Sequence, residues 1–242
     1  VKEWFQQWFD EDYAELYAHR DAAEAVQGVD TAMAVAPELA RGPVLDLACG
    51  SGRHLEALRA RNPRAFGLDL SLSLLDLAGP DLRPWLVQAD MRRLPVKPGS
   101  LAGICLWFTP FGYFGDVENR RLFRDLSASL AAGGILWMDY LNAPGVRATL
   151  SDEPETIERG ELRITIRRSL EGNRVMKRMR IVRPATGEAR EVVESVCLYD
   201  PAELEQIAAA AGLQLRTALG DYGGAGFGPA SERWIGVFVK GQ

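Results

Sequence analysis

Between residues 43 and 142 two periodicities alternate along the chain. Short apolar runs at Val44–Leu47, Ala65–Leu68, Trp85–Ala89, Leu101–Phe108 and Ile135–Tyr140 read as strands buried on both faces. Helical spacing fills the gaps at His54–Arg61, at Ser71–Ala78 and after Asp116. Asp116 reads as the N-cap of that last helix, whose buried stripe is Leu122, Phe123, Leu126 and Leu130, and Gly133-Gly134 reads as its stop. Strands alternating with helices predict a parallel, doubly wound α/β sheet with right-handed crossovers.

The pattern differs on either side of this block. Residues 1–41 are helical in spacing: Trp4, Phe5, Trp8, Phe9, Tyr13, Leu16 and Tyr17 recur on one stripe, and a second stretch runs from Asp21 to Leu39 with breaks at Gly28 and Pro37. After Pro144 the period drops to two. Leu162, Ile164 and Ile166 alternate with Arg163, Thr165 and Arg167, and Val175–Val182 and Glu191–Tyr199 alternate likewise. Turns at Glu171-Gly172-Asn173 and Pro184-Ala185-Thr186-Gly187 make this a three-stranded antiparallel meander. A helix from Pro201 to Ala211 follows, and strands Leu213–Ala218 and Trp234–Val239 flank the glycine-rich stretch 220–233. The expected organisation is one domain over 1–242: a helical cap (1–41), a core (42–142), an antiparallel insert (155–199) after the fifth strand, and a closing helix with two strands (200–242).

Three of the strands end in an acid. Asp46, Asp69 and Asp90 fall at the edge where open α/β sheets hold their ligands. The first leads into the small-residue loop Ala48-Cys49-Gly50-Ser51-Gly52. Leu55 stands where a dinucleotide fingerprint has its third glycine, and no Gly-Lys-Ser/Thr follows, so neither a nicotinamide site nor a phosphate loop is indicated. One such acid alone reads equally well as a cap or turn residue. Three in series call for a ligand that offers an amine, a diol and a donor-bearing base.

At these residues the chain resembles the class I S-adenosylmethionine-dependent methyltransferases, small-molecule branch. Asp46-Leu47-Ala48-Cys49-Gly50-Ser51-Gly52 is similar to their first motif with Ala48 in place of its first glycine, Gly67-Leu68-Asp69-Leu70-Ser71 to their second, and Ala89-Asp90-Met91 to their third. Trp107-Phe108-Thr109-Pro110-Phe111-Gly112-Tyr113-Phe114 is similar to their aromatic loop after strand four, and Leu130 to Leu136 to the entry into strand five. The resemblance implies a Rossmann-like, seven-stranded sheet whose last strand is antiparallel. It implies S-adenosyl-L-methionine as cofactor, with Asp46 near its amino group, Ala48, Gly50 and Gly52 lining the turn, Asp69 and Leu70 at the ribose, Asp90 and Met91 at the adenine, and Trp107 beside it. Tyr13 and Tyr17 would close over the cofactor and Arg20 would pair with its carboxylate. Phe108, Phe111, Tyr113 and Tyr222 would line the acceptor pocket. Tyr17 and His19 are the catalytic candidates, while His54 is expected to cap or pack near the cofactor and Trp4, Trp8 and Phe9 to pack helices.

Composition narrows the rest. The 242 residues are 47% apolar and 25% charged, the balance of a globular protein. No apolar run is long enough to span a bilayer, and Val1 to Trp8 lack a signal-peptide layout. The three cysteines are far apart and read as reduced core thiols of a cytoplasmic protein; with two histidines in the chain no metal site is expected. A net charge of −5 argues against sequence-independent nucleic-acid binding. The basic residues of Arg174 to Arg183 alternate with Val175, Met179 and Ile181 and read as a solvated strand face. No Asn/Asp-Pro-Pro-Tyr/Phe signature occurs. The expected activity is methyl transfer to N or O of a small metabolite, the different-class reading being a non-catalytic cofactor-binding module. The insert is expected either to cap the pocket or to serve as a homodimer face.

Overall fold

A computed structural model describes residues 3–241; the ends of the expected cap and C-terminal segment, residues 1, 2 and 242, lie outside the described residues. Two short helices, α1 (Phe5–Trp8) and α2 (Glu11–Leu16), precede α3 (Ala22–Val35). The side chains of Asp10 and Asp21 cap α2 and α3, accepting from the Tyr13 and Glu24 N–H groups. Gly28 does not interrupt α3, whereas Pro37 opens a 3-10 turn, Pro37–Ala40.

The core then runs β1 (Val44–Leu47), α4 (Arg53–Arg61), β2 (Ala65–Asp69), α5 (Leu72–Asp76), β3 (Leu86–Gln88), β4 (Leu101–Leu106), α6 (Asp116–Ser129) and β5 (Leu130–Leu141). After α7 (Ala143–Thr149) come β6 (Glu155–Arg159), β7 (Leu162–Glu171), β8 (Arg174–Arg183) and β9 (Glu188–Cys197), then α8 (Pro201–Ala210), β10 (Leu213–Leu219) and β11 (Arg233–Lys240). The large sheet has the order β10-β11-β5-β4-β1-β2-β3, with β11 antiparallel to both neighbours and the other pairings parallel. Alternate residues of β5 serve the two faces. Leu136, Met138 and Tyr140 pack with Leu122, Phe123 and Leu126 of α6 and Leu204 and Ile207 of α8, while Ile135 and Trp137 pack with Val29, Ala32, Leu55 and Leu58 of α3 and α4. Among the described residues no helix is long and apolar enough to cross a membrane.

Several boundaries differ from expectation for identifiable reasons. Asp116 is the first helical residue of α6, and Gly115 is the cap. Leu130 belongs to β5 rather than to the helix, because it pairs with Leu101 before a register shift. Gly133, at φ +71°, therefore lies inside the entry to the strand, and α6 stops earlier, at Ser129.

The insert has four strands, not three, in the order β6-β7-β8-β9; the added β6 is polar and lies at the edge, where alternation is a weak signal. Its buried side does not rest on the large sheet. Leu162, Ile164, Ile166, Met179 and Ile181 pack on Trp8 and Leu16 of the cap. Ion pairs extend that seam: Arg190 binds Asp10 and Asp12, and Arg183 binds Asp12 and Glu15. The cap is thus held between insert and core, which sets up the site.

Candidate active site

The carboxyl ends of β1, β2 and β4 open into a cleft of about 840 Å³. Its floor is the turn after β1, in which Ala48 (φ +58°), Gly50 (φ +55°) and Gly52 (φ +84°) all take left-handed backbone. Asp69 braces this turn: Gly50 N–H donates to one carboxylate oxygen and Ser71 N–H to the other, both at 2.8 Å. The Ser71 hydroxyl in turn donates to the Phe9 carbonyl at 2.5 Å and joins the cap to the cleft. A Cβ on Gly67 would meet Cys49 Sγ at 2.6 Å and Leu55 Cδ2 at 3.0 Å. The close helix–strand approach that a dinucleotide fold takes from a glycine on the helix is supplied here by Gly67 on β2, and Cys49 fills the space above it.

Asp46 is fully buried, and neither of its carboxylate oxygens has a hydrogen-bond partner. Burial, with the Asp69 charge added, pushes its pKa up to about 8. A buried carboxyl with no partner is costly unless something cationic completes it. Asp90 differs: it caps the turn Met91–Arg93 and is clasped by the Arg92 guanidinium at 2.6 Å, which outweighs partial burial and holds its pKa below the usual range.

His54 is buried and stacks on Trp107, ring centroids 4.6 Å apart and planes within 4°. Burial, then the neighbouring Arg53, lowers its pKa well below the usual value, so the ring is neutral and forms part of the wall.

A second cleft, of about 600 Å³, adjoins the first. Phe9, Tyr13, Tyr17, Arg20, Phe108 and Tyr113 line both, so the partition between them is aromatic except for one guanidinium. Arg20 lies between the Tyr17 ring (4.1 Å) and the Phe108 ring (4.2 Å). The far wall comes from the insert. Arg168, Lys177 and Glu194 sit opposite one another on β7, β8 and β9, one rung beyond the apolar rung Ile166, Met179 and Val192. Lys177 Nζ donates to the Tyr17 hydroxyl at 2.5 Å and lies 3.5 Å from Glu194, which also accepts from Trp8 Nε1 at 2.6 Å. Burial lowers the Lys177 pKa although Glu194 opposes it, and burial followed by Glu194 raises that of Tyr17 well above the phenol range. Tyr17 is accordingly a protonated hydroxyl at any physiological pH.

Tyr13, Tyr17, Arg20, Asp46, Ala48, Gly50, Asp69, Leu70, Asp90, Met91 and Trp107 all line the first cleft; of the expected acceptor residues, Phe108 and Tyr113 line both clefts. Three expectations are corrected. Phe111 is fully buried in the core against Phe123 and lines neither cleft. Tyr222 is buried behind Phe108, its hydroxyl donating to Asp139 at 2.5 Å, and it too lines neither. His19 is exposed, 6.1 Å from the Tyr17 ring centroid and on neither wall, because α2 ends before it and turns it outward.

The segment from Arg174 to Arg183 is not simply a solvated face. Lys177 is in phase with Val175, Met179 and Ile181 and so points inward, while Arg174 clamps the carbonyls of Tyr113 and Phe114, at 3.0 Å each. That phase, a lysine in the apolar register, was the available signal for Lys177, as Glu194 between Val192 and Val196 was on β9.

Asp139 was also missed. Near the end of β5 and fully buried, its carboxylate accepts from Phe108 N–H (2.7 Å), Tyr222 and Arg233, and its carbonyl from Thr109 N–H. It holds Phe108 and Thr109 in left-handed backbone, φ +59° and +61°. Among the described residues no three His, Cys, Asp or Glu side chains converge as metal ligands.

Residues 44–134 match the family model described as a methyltransferase domain. A curated relative, the dTDP-4-amino-2,3,4,6-tetradeoxy-D-glucose N,N-dimethyltransferase of Saccharopolyspora spinosa, is 33% identical over 129 residues, 48% of this chain and 45% of that protein. The chain thus spans under half the length of that relative. Among solved structures, the CcbJ methyltransferase of Streptomyces caelestis superposes with a TM-score of 0.82 at 20% identity, covering 98% of this chain and 99% of that one. An S-adenosylmethionine-dependent methyltransferase of Clostridium acetobutylicum gives 0.81 at 18% identity, covering 96% and 97%. Residues 44–134 are thus similar to a methyltransferase domain, and the chain as a whole has the fold of these two structures.

Proposed function

We propose that the chain is an S-adenosyl-L-methionine-dependent methyltransferase that methylates the nitrogen of a small metabolite. One observation carries this reading: the cleft with the unpartnered Asp46 carboxyl meets a second cleft across a shared wall of aromatic rings. A cofactor-binding module has no need of the second cleft. The N,N-dimethylation named for the Saccharopolyspora spinosa relative, on a dTDP-linked amino sugar, supports nitrogen over oxygen.

The residues present fit the cofactor. Asp46 would receive its ammonium group, Asp69 its ribose diol, Arg20 its carboxylate, and Asp90 with the Met91 backbone its adenine. When bound it supplies a methyl on a sulfonium centre, displaced by the acceptor's lone pair as the sulfur keeps the bonding electrons. Tyr13, Tyr17, Phe108 and Tyr113 exclude water from the junction and offer ring faces to positive charge. Tyr17, kept protonated and fixed by Lys177, orients the acceptor. Glu194, at the same wall, is the group placed to take the proton that nitrogen gives up.

The negative net charge supports a small acceptor rather than nucleic acid, and the three unpaired thiols suit a reducing, cytoplasmic setting. A homodimer through the outer face of the insert would be removed by a solution mass of one chain. The central test is calorimetry with S-adenosylhomocysteine and with NADH. Binding of the first alone is expected, and its absence would sink the assignment.

A further inference from the structure

The charges in the acceptor cleft are almost entirely spoken for. Its wall carries the cations Arg20, Arg168, Lys177 and Arg233 and the acids Glu153, Glu155 and Glu194. Arg168 pairs with Glu155 at 2.9 Å, Lys177 with Glu194 at 3.5 Å, and Arg233 with the buried Asp139 behind the wall. Among the described residues Arg20 has no carboxylate at ion-pair distance; it stacks on Tyr17 and Phe108 at the boundary with the cofactor cleft. If the cofactor's carboxylate occupies Arg20, as proposed above, the acceptor cleft holds no free cation and one surplus acid, Glu153.

We infer that the acceptor is a phosphate-free molecule carrying a single cationic amine, and not a nucleotide-activated sugar. A diphosphate would have to strip Lys177 from Glu194 or Arg233 from Asp139, stranding a buried or half-buried carboxylate each time. Arg168 is the more exposed cation, and its own Glu155 would face the same phosphate. An ammonium group meets the opposite situation. One oxygen of Glu194 accepts from Trp8 and from the Tyr17 hydroxyl; the other, 3.5 Å from Lys177, keeps a lone-pair direction for a second donor, so an ammonium joins the pair without stripping it and offsets the surplus charge of Glu153. For an amino sugar this places methylation after the glycosyl-transfer reaction that releases the nucleotide.

The inference rests on the methyltransferase reading, so the chain is first saturated with S-adenosylhomocysteine. Failure at that step removes both readings before any acceptor probe is added. Thymidine diphosphate is then titrated calorimetrically into the loaded wild type, Arg168→Gln and Lys177→Met. The expected result is binding weaker than about 1 mM or indifferent to both substitutions. Micromolar binding that either substitution weakens tenfold overturns the inference. In parallel, the methyl glycoside of a 4-amino-4-deoxyhexose is expected to bind the loaded chain, about tenfold more weakly in Glu194→Gln. Lack of binding, or binding indifferent to Glu194→Gln, overturns the ammonium assignment.

Discussion

Asp46 and Asp69 lie at one corner of the first cleft with opposite hydrogen-bonding states: Asp69 is held by two backbone N–H groups, while Asp46 has none. The difference makes Asp46 the titrating partner. With its native pKa at about 8, against about 3.9 in the unfolded chain, it binds more protons folded than unfolded between those values. Its contribution to stability is therefore greatest at low pH and is lost as pH rises from about 4 to about 8. Asp46→Asn should melt increasingly above wild type across that window, by roughly 2–4 °C per kcal/mol gained. If Asp46 receives an ammonium group as the proposed function has it, the ionised form binds, and wild-type affinity for S-adenosylhomocysteine should rise toward pH 8 with release of a proton. Calorimetry in buffers of different ionisation enthalpy reads that proton directly.

Asp139→Asn should separate loop positioning from cofactor binding. The substitution leaves Arg233 without its anion and loosens the bond from Phe108 N–H that holds two strained residues at the junction of the clefts. Breaking a buried pair of this kind costs about 3–5 kcal/mol. Methyl transfer should fall with it, while S-adenosylhomocysteine affinity changes little, since Asp139 lines neither cleft. Denaturant unfolding and calorimetry check the two halves.

Tyr17→Phe removes the hydroxyl between Lys177 and Glu194 and keeps the ring that lines the first cleft. Turnover should drop about 10- to 100-fold, the scale of losing a group that positions the acceptor, with affinity for S-adenosylhomocysteine largely retained. An equal loss in both would mean that the residue serves the cofactor alone.

The parts legible in the sequence are those where one periodicity dominates. β1, β2 and β4 were readable because their apolar runs are buried on both faces, and the acids at Asp46 and Asp69 stood out against them. The second cleft was readable only at Phe108 and Tyr113, because it is assembled from the cap, the loop after β4 and the insert, and depends on how three segments distant in sequence dock. Lys177 and Glu194 stand on the inward phase of their strands, so charge alone misplaces them at the surface. Phe111 and Tyr222 misled for the converse reason: an aromatic residue in a functional loop can belong to the core beneath it. His19 misled because nearness to Tyr17 in sequence says little once a helix ends between them.

Ala48 illustrates a position where side-chain size was the wrong quantity to read. The residue sits at φ +58°, a left-handed conformation that costs a residue with a Cβ on the order of 1 kcal/mol and a glycine almost nothing. Ala48→Gly removes that strain and also widens the conformational freedom of the unfolded chain, which returns part of the gain. The net expectation is stabilisation of at most about 0.5 kcal/mol, seen as a rise of roughly 1–2 °C in Tm. Ala48→Val must be worse than wild type, since a β-branched residue is a still poorer occupant of positive φ. Should glycine destabilise the chain while valine is tolerated, the left-handed turn does not persist in solution, and the bracing of Gly50 by Asp69 would need a different account.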